Sequence, residues 1–280
     1  MRGSIGVFDS GLGGLTVLRA LHERLPHEDL LYFGDSARVP YGTKGEKTVR
    51  AFARQDAGLL VSRGVKMVVV ACNTASAFAL DHLREVVPVP VLGVIEPGVR
   101  AALGATRGGV IGVIGTSGTI RSERYQQGLA AAGLRPEQIV AVECPLFVPL
   151  AEEGLGGHAM TRLAVAEYLR PIREAHVDTL ILGCTHYPLL APDIAAYLGP
   201  DVRLVDSAEA LATAACAELA TAHALSDARD PGRLSFILSD IPWKFAEIGA
   251  RFLGKPIADV ESVGLDEMEA AGHALGGRTA

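Results

Sequence analysis

The sequence predicts an α/β protein with two similar lobes, each a mainly parallel β-sheet flanked by helices. Two observations lead to this fold class. Short apolar runs alternate with longer stretches that carry apolar residues at helical spacing, which is typical of βαβ units and parallel sheets. A similar pattern then returns in the second half of the chain, which indicates an internal duplication.

The first half contains four predicted strands separated by helical stretches. They cover residues 4–8, 30–35, 65–71 and 90–94. Each is short, rich in Val, Leu or Ile, and bounded by Gly, Pro or polar residues, as buried strands are. The chain therefore begins with the repeated strand–helix rhythm of a parallel sheet.

The second half repeats this rhythm with recognisable local similarity. The stretch "GGVIGVIGTSGT" aligns with "GSIGVFDSG" when Ile111 is placed over Ile5, 106 residues earlier. The stretch "VDTLILGCTHYP" aligns with "VKMVVVACNTAS" when Cys184 is placed over Cys72, 112 residues earlier. Two similar offsets in the same order favour two related lobes over one continuous sheet.

The predicted lobes divide the chain unequally. We expect residues 1–97 and 207–280 to form the first lobe, and residues 98–206 to form the second. The linker is expected near residues 96–98 and the return near Asp206. The residues after the return are too few for a third domain, so they are expected to complete the first lobe.

Composition and charge exclude several classes of protein. The 280 residues are 49% hydrophobic and the mean hydropathy is +0.28, which indicates a globular chain rather than a disordered one. The net charge of −6 and the pI near 5.8 provide no basic patch. We therefore expect no direct nucleic-acid binding.

The hydropathy pattern and the cysteines indicate the compartment. No apolar run reaches the roughly 18 residues of a membrane span, and the first residues do not resemble a signal peptide. We therefore expect a cytoplasmic protein with no membrane association, whose four cysteines are reduced thiols. No Cys or His cluster has zinc spacing, so no metal site is expected.

Two cysteines lie where strands are predicted to end. Cys72 follows "VVVA" and Cys184 follows "LILG", and ligands of parallel sheets bind at the carboxyl ends of the strands. A helix start after each thiol would offer backbone N–H groups to a carboxylate or phosphate and favour the thiolate. A single cysteine in this context is as often a small buried hydrophobe, but two matched contexts favour a function. Cys144 and Cys216 lack these contexts and are interpreted as structural.

Other polar residues are candidates with an open alternative. Asp9 and Ser10 in "FDSGLGG" face the predicted cleft, or Asp9 caps the following helix; the motif lacks the third glycine of a dinucleotide-binding loop. The loop "GDSARVPYGTK" is either a site loop or a surface turn. Glu152 is either functional or a solvated charge, and His186 gains interest because it lies two residues beyond Cys184.

Taken together, these motifs resemble the cofactor-independent aspartate/glutamate racemase family, and within it the glutamate racemases of bacterial cell-wall synthesis. The resemblance covers nearly the whole chain except the last sixty residues or so. It rests on motifs in family order: "GVFDSGLGG", "YFGDSARVPYG", "ACNTASA", "GVIEPG", "GTSGT", "CPLFVPLAEEG" and "LGCTHYPLL". It implies a site in the cleft between the lobes, no cofactor, a homodimer, and D-glutamate for peptidoglycan.

The resemblance also assigns roles to residues. Cys72 is expected to deprotonate D-glutamate with help from Asp9, and Cys184 to deprotonate L-glutamate with help from Glu152 and His186. Asp35 is expected to lie beside the site, with a role that the resemblance does not define. The residues expected to bind glutamate are Asp9, Ser10, Tyr41, Gly42, Asn73, Thr74, Thr116, Thr119, Thr185 and His186.

Three alternatives remain open at this stage. The first is an aspartate racemase of the same superfamily, since the sequence does not size the side-chain pocket. The second is a hydrolase with Cys184 as nucleophile and His186 as base, which would not need Cys72. The third is a two-lobe amino-acid receptor without catalytic activity, which the paired thiols disfavour.

Overall fold

The computed structural model describes residues 3–275 as an α/β protein with two parallel sheets, which confirms the predicted fold class. The strands are β1 (Ile5–Asp9), β2 (Leu30–Gly34), β3 (Met67–Val70), β4 (Val91–Gly93), β5 (Val110–Gly115), β6 (Ile139–Glu143), β7 (Val177–Gly183), β8 (Arg203–Asp206), β9 (Leu234–Leu238) and β10 (Val260–Ser262).

Helices connect and cover the strands. They are α1 (Leu15–Arg24), α2 (Glu46–Ser62), α3 (Asn73–Val86), α4 (Ile95–Ala105), α5 (Ser117–Arg121), α6 (Arg124–Ala131), α7 (Phe147–Glu152), α8 (Ala159–Glu174), α9 (Ala191–Leu198), α10 (Ser207–Thr221), α11 (Phe245–Leu253) and α12 (Leu265–Ala274). Short 3-10 helices occupy Ser36–Arg38, Tyr41–Thr43, Pro136–Gln138 and Tyr187–Leu190. No helix among residues 3–275 is long and apolar enough to cross a bilayer.

The two sheets share one strand order. The first runs β10-β9-β2-β1-β3-β4 and the second β6-β5-β7-β8, with every neighbouring pair parallel. The order β2-β1-β3-β4 therefore corresponds to β6-β5-β7-β8. The strands β9 and β10 from the C-terminal part of the chain extend the first sheet alone.

The register repeats as well as the order. Ile5 of β1 pairs with Met67 of β3, and Ile111 of β5 pairs with Thr179 of β7. Both pairs follow from the sequence alignment that places Cys184 over Cys72, because each cysteine lies five residues beyond the paired residue on its strand. The two thiols therefore leave their sheets at equivalent positions.

Burial explains why these segments are strands. Every residue of β1 and β3 is buried, as expected for parallel strands covered on both faces. Ile5 and Val7 belong to a core that continues into the second sheet, whereas Phe8 faces a separate core beneath α2 and α3. The shared core fixes the two sheets relative to each other.

The connection between the sheets differs from the sequence prediction in one respect. The linker expected at residues 96–98 is the first turn of α4. Pro97 is compatible with this turn because N–H groups in the first turn have no intrahelical partner. The lobe boundaries given above stay our proposal, and residues 1, 2 and 276–280 lie outside the described part.

Candidate active site

The two thiols lie in one cavity at the carboxyl ends of the strands. Its volume is about 30 Å³, enough to hold a water molecule. It is lined by Ser10, Val39, Pro40, Tyr41, Gly42, Cys72, Asn73, Thr74, Thr116, Val148, Cys184, Thr185 and His186. Ten of the residues singled out from the sequence thus meet here, whereas Asp9, Glu152 and Thr119 stand behind this lining.

The first thiol caps a helix. Cys72 is the N-cap residue of α3, and its Sγ accepts a hydrogen bond from Ala75 N at 3.4 Å. Its Sγ also donates to Ser10 Oγ at 3.6 Å. Burial, followed by the charge of Asp9, raises the pKa of the Cys72 thiol to about 12. Cys72 is therefore a protonated thiol at neutral pH.

The second thiol belongs to a chain of three polar groups. Cys184 Sγ lies 3.8 Å from His186 Nδ1, and His186 Nε2 lies 3.0 Å from Glu152 Oε1. Burial lowers the pKa of His186, but the hydrogen bonds to Cys184 and Glu152 outweigh it and raise the pKa to about 10. An imidazolium at this position stabilises negative charge on the Cys184 sulfur.

Asp9 lies at the end of β1 and is fully buried. Its Oδ2 accepts a hydrogen bond from Gly11 N at 3.1 Å, whereas Oδ1 has no partner. The N-cap residue of α1 is Gly14, without a side-chain cap hydrogen bond, although the backbone N–H of Gly14 favours the Asp9 carboxylate. Burial raises the pKa of Asp9, although the charge of His186 and backbone N–H groups oppose that shift.

Three threonine hydroxyls join the lobes on one side of the cavity. Thr74 Oγ1 lies 2.9 Å from Thr116 Oγ1 and 3.2 Å from Thr119 Oγ1. Thr116 and Thr119 are 3.1 Å apart. A hydroxyl both donates and accepts, so this triangle can turn its donors toward an anionic ligand.

Asn73 is the buried amide of the site. Its Oδ1 accepts a hydrogen bond from Tyr125 OH at 2.7 Å, and its Nδ2 has no partner. Buried polar groups are normally paired, so a free donor beside the cavity indicates a ligand acceptor. Tyr125 comes from α6 of the second lobe and was not predicted, because nothing in its local sequence sets it apart.

Gly13 allows close approach between the lobes. A Cβ at this position would lie 2.3 Å from Thr185 Oγ1 and 2.4 Å from His186 Nδ1. Thr16 Oγ1 also donates to Thr185 O at 3.2 Å. The glycine-rich turn after β1 therefore packs directly against Thr185 and His186, the neighbours of the second thiol.

An aromatic ring covers His186 from the C-terminal part of the chain. Phe252 of α11 packs edge-on against the imidazole, with ring centroids 5.1 Å apart. Sequence reasoning missed this contact, as it missed the cavity residues Val39, Pro40 and Val148, because apolar side chains carry no functional signal by type. Among residues 3–275, no group of three or more His, Cys, Asp or Glu side chains is arranged to hold a metal ion.

Two buried thiols thus line one cavity at the carboxyl ends of two parallel sheets that share a strand order. The sequence profile of the Asp/Glu/hydantoin racemases matches residues 5–215, and the chain belongs to this family. The resemblance predicted from the motifs is thus confirmed.

Individual relatives narrow the comparison. A glutamate racemase of Syntrophus aciditrophicus is 50% identical over 93% of this chain and 96% of its own. A crystal structure of the Francisella tularensis glutamate racemase with D-glutamate has a TM-score of 0.88 at 38% identity, covering 94% of this chain and 98% of that one. The Thermus thermophilus glutamate racemase in complex with β-chloro-D-alanine has a TM-score of 0.85 at 45% identity, covering 95% and 98%.

Proposed function

We propose that the protein interconverts L-glutamate and D-glutamate by moving the α-proton between two thiols. The observation that carries this proposal is that Cys72 and Cys184, from equivalent positions of two sheets, line the same small cavity. Two bases on opposite sides of Cα invert the centre without either one having to cross the substrate. The relatives named above are glutamate racemases, which favours glutamate over aspartate.

The neutral Cys72 thiol and the His186 imidazolium suit the direction from L-glutamate. Cys184 beside the His186 imidazolium removes the α-proton as a thiolate, and the C–H electrons remain on Cα, spread into the α-carboxylate. Cys72, a neutral thiol, then donates its proton to the opposite face, leaving a Cys72 thiolate and a Cys184 thiol. The reverse direction begins from that pair, and Asp9 is proposed to assist Cys72 as Glu152 and His186 assist Cys184.

The remaining polar groups are proposed to hold the substrate. The N-terminus of α3 places backbone N–H groups and Asn73 next to Cys72, where a carboxylate is favoured. Anionic charge developing at the α-carboxylate is stabilised by the same fixed donors, since they need no reorganisation. The other proposed ligands of glutamate are Asp9, Ser10, Tyr41, Gly42, Thr74, Thr116, Thr119, Thr185 and His186.

The wider role follows from the family resemblance alone. We propose that the enzyme acts in the cytoplasm as a homodimer and supplies D-glutamate for peptidoglycan. Comparing L-glutamate with L-aspartate as substrate, by circular dichroism, tests the specificity. A higher kcat/KM for aspartate would replace this proposal by the aspartate racemase alternative.

The decisive experiment follows solvent deuterium into Cα. Wild-type enzyme in D2O is expected to label both enantiomers of glutamate. Cys72→Ser and Cys184→Ser are each expected to abolish net racemisation. The control is Cys216→Ser, because the Cys216 side chain is half-buried on α10, and this variant is expected to keep wild-type rates. Absence of deuterium at Cα in the wild type, or activity in Cys72→Ser, would overturn the two-base proposal and favour a single-cysteine reaction.

A further inference from the structure

A cluster of buried charged and polar side chains extends from the cavity wall at Tyr41 away from the two thiols. It consists of Asp35 after β2, Arg38 and Tyr41 in the following loop, and Asp56 on α2. Asp35, Tyr41 and Asp56 are fully buried, and Arg38 is 12% exposed. Two carboxyl groups therefore share one guanidinium and one phenol away from water.

We infer that Asp56 carries a proton, which it donates to Tyr41, and that this neutral acid is a positioning residue for the Tyr41–Gly42 wall of the site. Tyr41 OH lies within hydrogen-bonding distance of Asp35 Oδ2 and 2.8 Å from Asp56 Oδ2. A phenol has only one hydrogen. If both contacts are hydrogen bonds, one carboxyl group must supply the second hydrogen.

The other contacts decide which carboxyl group it is. Asp35 Oδ2 also accepts from Arg38 Nε at 2.7 Å, and Asp35 Oδ1 accepts from Ser239 Oγ at 2.9 Å. Asp35 therefore accepts donors at both oxygens, as an ionised carboxylate does. Asp56 Oδ1 accepts from Arg38 at 3.0 Å, while its Oδ2 meets only the phenol oxygen. The proton belongs on Asp56 Oδ2.

Electrostatics agree with this geometry. Burial, followed by the charge of Asp35, raises the pKa of Asp56 well above its usual value, and Arg38 and the contact with the Tyr41 hydroxyl oppose that shift only in part. A buried carboxylate pair facing one cation would leave an uncompensated negative charge, which is strongly unfavourable. With Asp56 neutral, Asp35 and Arg38 balance each other.

The cluster acts on the site through the loop that it anchors. Tyr41 and Gly42 line the cavity, and Gly42 lies so close to the second lobe that a Cβ there would be 2.6 Å from Thr116 Cβ. The Tyr41 ring also packs on Phe52 of α2, with centroids 5.5 Å apart. Hydrogen bonds of the Tyr41 hydroxyl with Asp35 and Asp56 therefore keep the Tyr41–Gly42 segment in contact with Thr116.

Rising pH should weaken this anchor. Loss of the Asp56 proton would set its charge against Asp35 and, at longer range, Asp9, while Arg38 faces it as a cation. The hydrogen that Asp56 donates to Tyr41 in our inference would be lost. On the other side of α2, Ala271 and Gly272 of α12 pack against Gly58 and Gln55, and Glu267 of α12 is paired with Arg63 at the end of α2. The ionised form is therefore opposed by both neighbouring carboxyl groups.

Infrared spectroscopy tests the proton directly. The difference spectrum between wild type and Asp56→Asn at pH 8 is expected to show the carbonyl band of a protonated carboxylic acid. Subtraction is needed because the pKa values of buried Asp9 and Asp206 are also raised. A difference spectrum with carboxylate bands only would overturn the inference, whether or not glutamate is the substrate.

Kinetics test the positioning role and rest on the proposed function. Asp56→Ala is expected to raise KM for glutamate about tenfold, the effect of losing one well-formed hydrogen bond, with a smaller change in kcat. Asp56→Asn keeps a donor for Tyr41 and an acceptor for Arg38, so its KM should stay within about twofold of wild type. Asp35→Asn, which removes the charge that balances Arg38, is expected to be more harmful than Asp56→Asn. The reverse order, or an Asp56→Asn variant as impaired as Asp56→Ala, would refute the inference.

Discussion

Replacing Gly13 by alanine should damage the site without removing a functional group. The added Cβ would lie 2.3 Å from Thr185 Oγ1, about 1.1 Å closer than the 3.4 Å at which ordinary contact begins. It would also lie 2.4 Å from His186 Nδ1. Both neighbours are buried, so they cannot swing into solvent, and either they or the second lobe must move by about 1 Å.

That displacement affects reaction more than folding. A shift of this size breaks the 3.8 Å contact between His186 and Cys184 and the 3.0 Å contact between His186 and Glu152. Misplacement by about 1 Å typically costs about 100-fold in rate. Overpacking a buried site costs about 1–3 kcal/mol of stability, which a domain of this size tolerates.

The assay is kcat/KM for L-glutamate by circular dichroism, together with urea unfolding. Gly104→Ala is the matched control, because no atom lies within 4 Å of a Cβ at that position in α4. It should keep wild-type activity and lose no stability, since alanine favours a helix. Wild-type kcat/KM in Gly13→Ala would show that the lobes adjust freely, and the reasoning from close approach would be refuted.

Three further predictions follow from other contacts. Tyr125→Phe should raise KM for glutamate about fivefold, because the Asn73 amide loses the hydrogen bond that orients it; an unchanged KM would remove Asn73 from the ligands. Lys66→Met should lower the free energy of unfolding in urea by about 3–5 kcal/mol, the cost of a broken buried pair, because Glu28 lies 2.6 Å away and both side chains are 3% exposed; adding Glu28→Gln should restore part of that stability. The pKa of His186 is about 10 in the folded protein, against 6.5 when unfolded. The stability that this shift adds is full below pH 6.5 and is lost as pH rises through about 10. His186→Gln should flatten the decline of the free energy of unfolding with pH, measured in urea, and parallel pH curves for variant and wild type would contradict the prediction.

Much of the fold was predictable because the local periodicity of apolar residues indicates the strands and helices. The apolar runs around Val69 and Ile181 are strands because both faces of each sheet are covered, and the alignment of Cys184 with Cys72 anticipated even the register of the central strands. The predicted linker at residues 96–98 is helical, which the sequence did not reveal because a proline in a first helical turn resembles a loop.

Parts of the site were not predictable for a physical reason. Tyr125, Phe252 and Gly13 act through contacts with residues more than 50 positions away in the chain, and none belongs to a residue type that signals chemistry. The protonation of Asp56 depends on which partners occupy each oxygen, which no spacing encodes. Sequence patterns indicate which side chains can take part in proton transfer or binding. Which groups each side chain contacts is determined by three-dimensional packing.

The size of the cavity has a consequence for reagents as well as for substrates. A space of about 30 Å³ is too small for glutamate, so we expect the site to widen before glutamate binds. Cys72 and Cys184 are only 5% and 6% exposed, whereas Cys216 is partly exposed. Alkylation of the first two then proceeds no faster than the molecule opens, and Cys216 serves as an internal standard. The rate at which Cys72 and Cys184 are alkylated, relative to Cys216, would therefore report the rate at which the site opens.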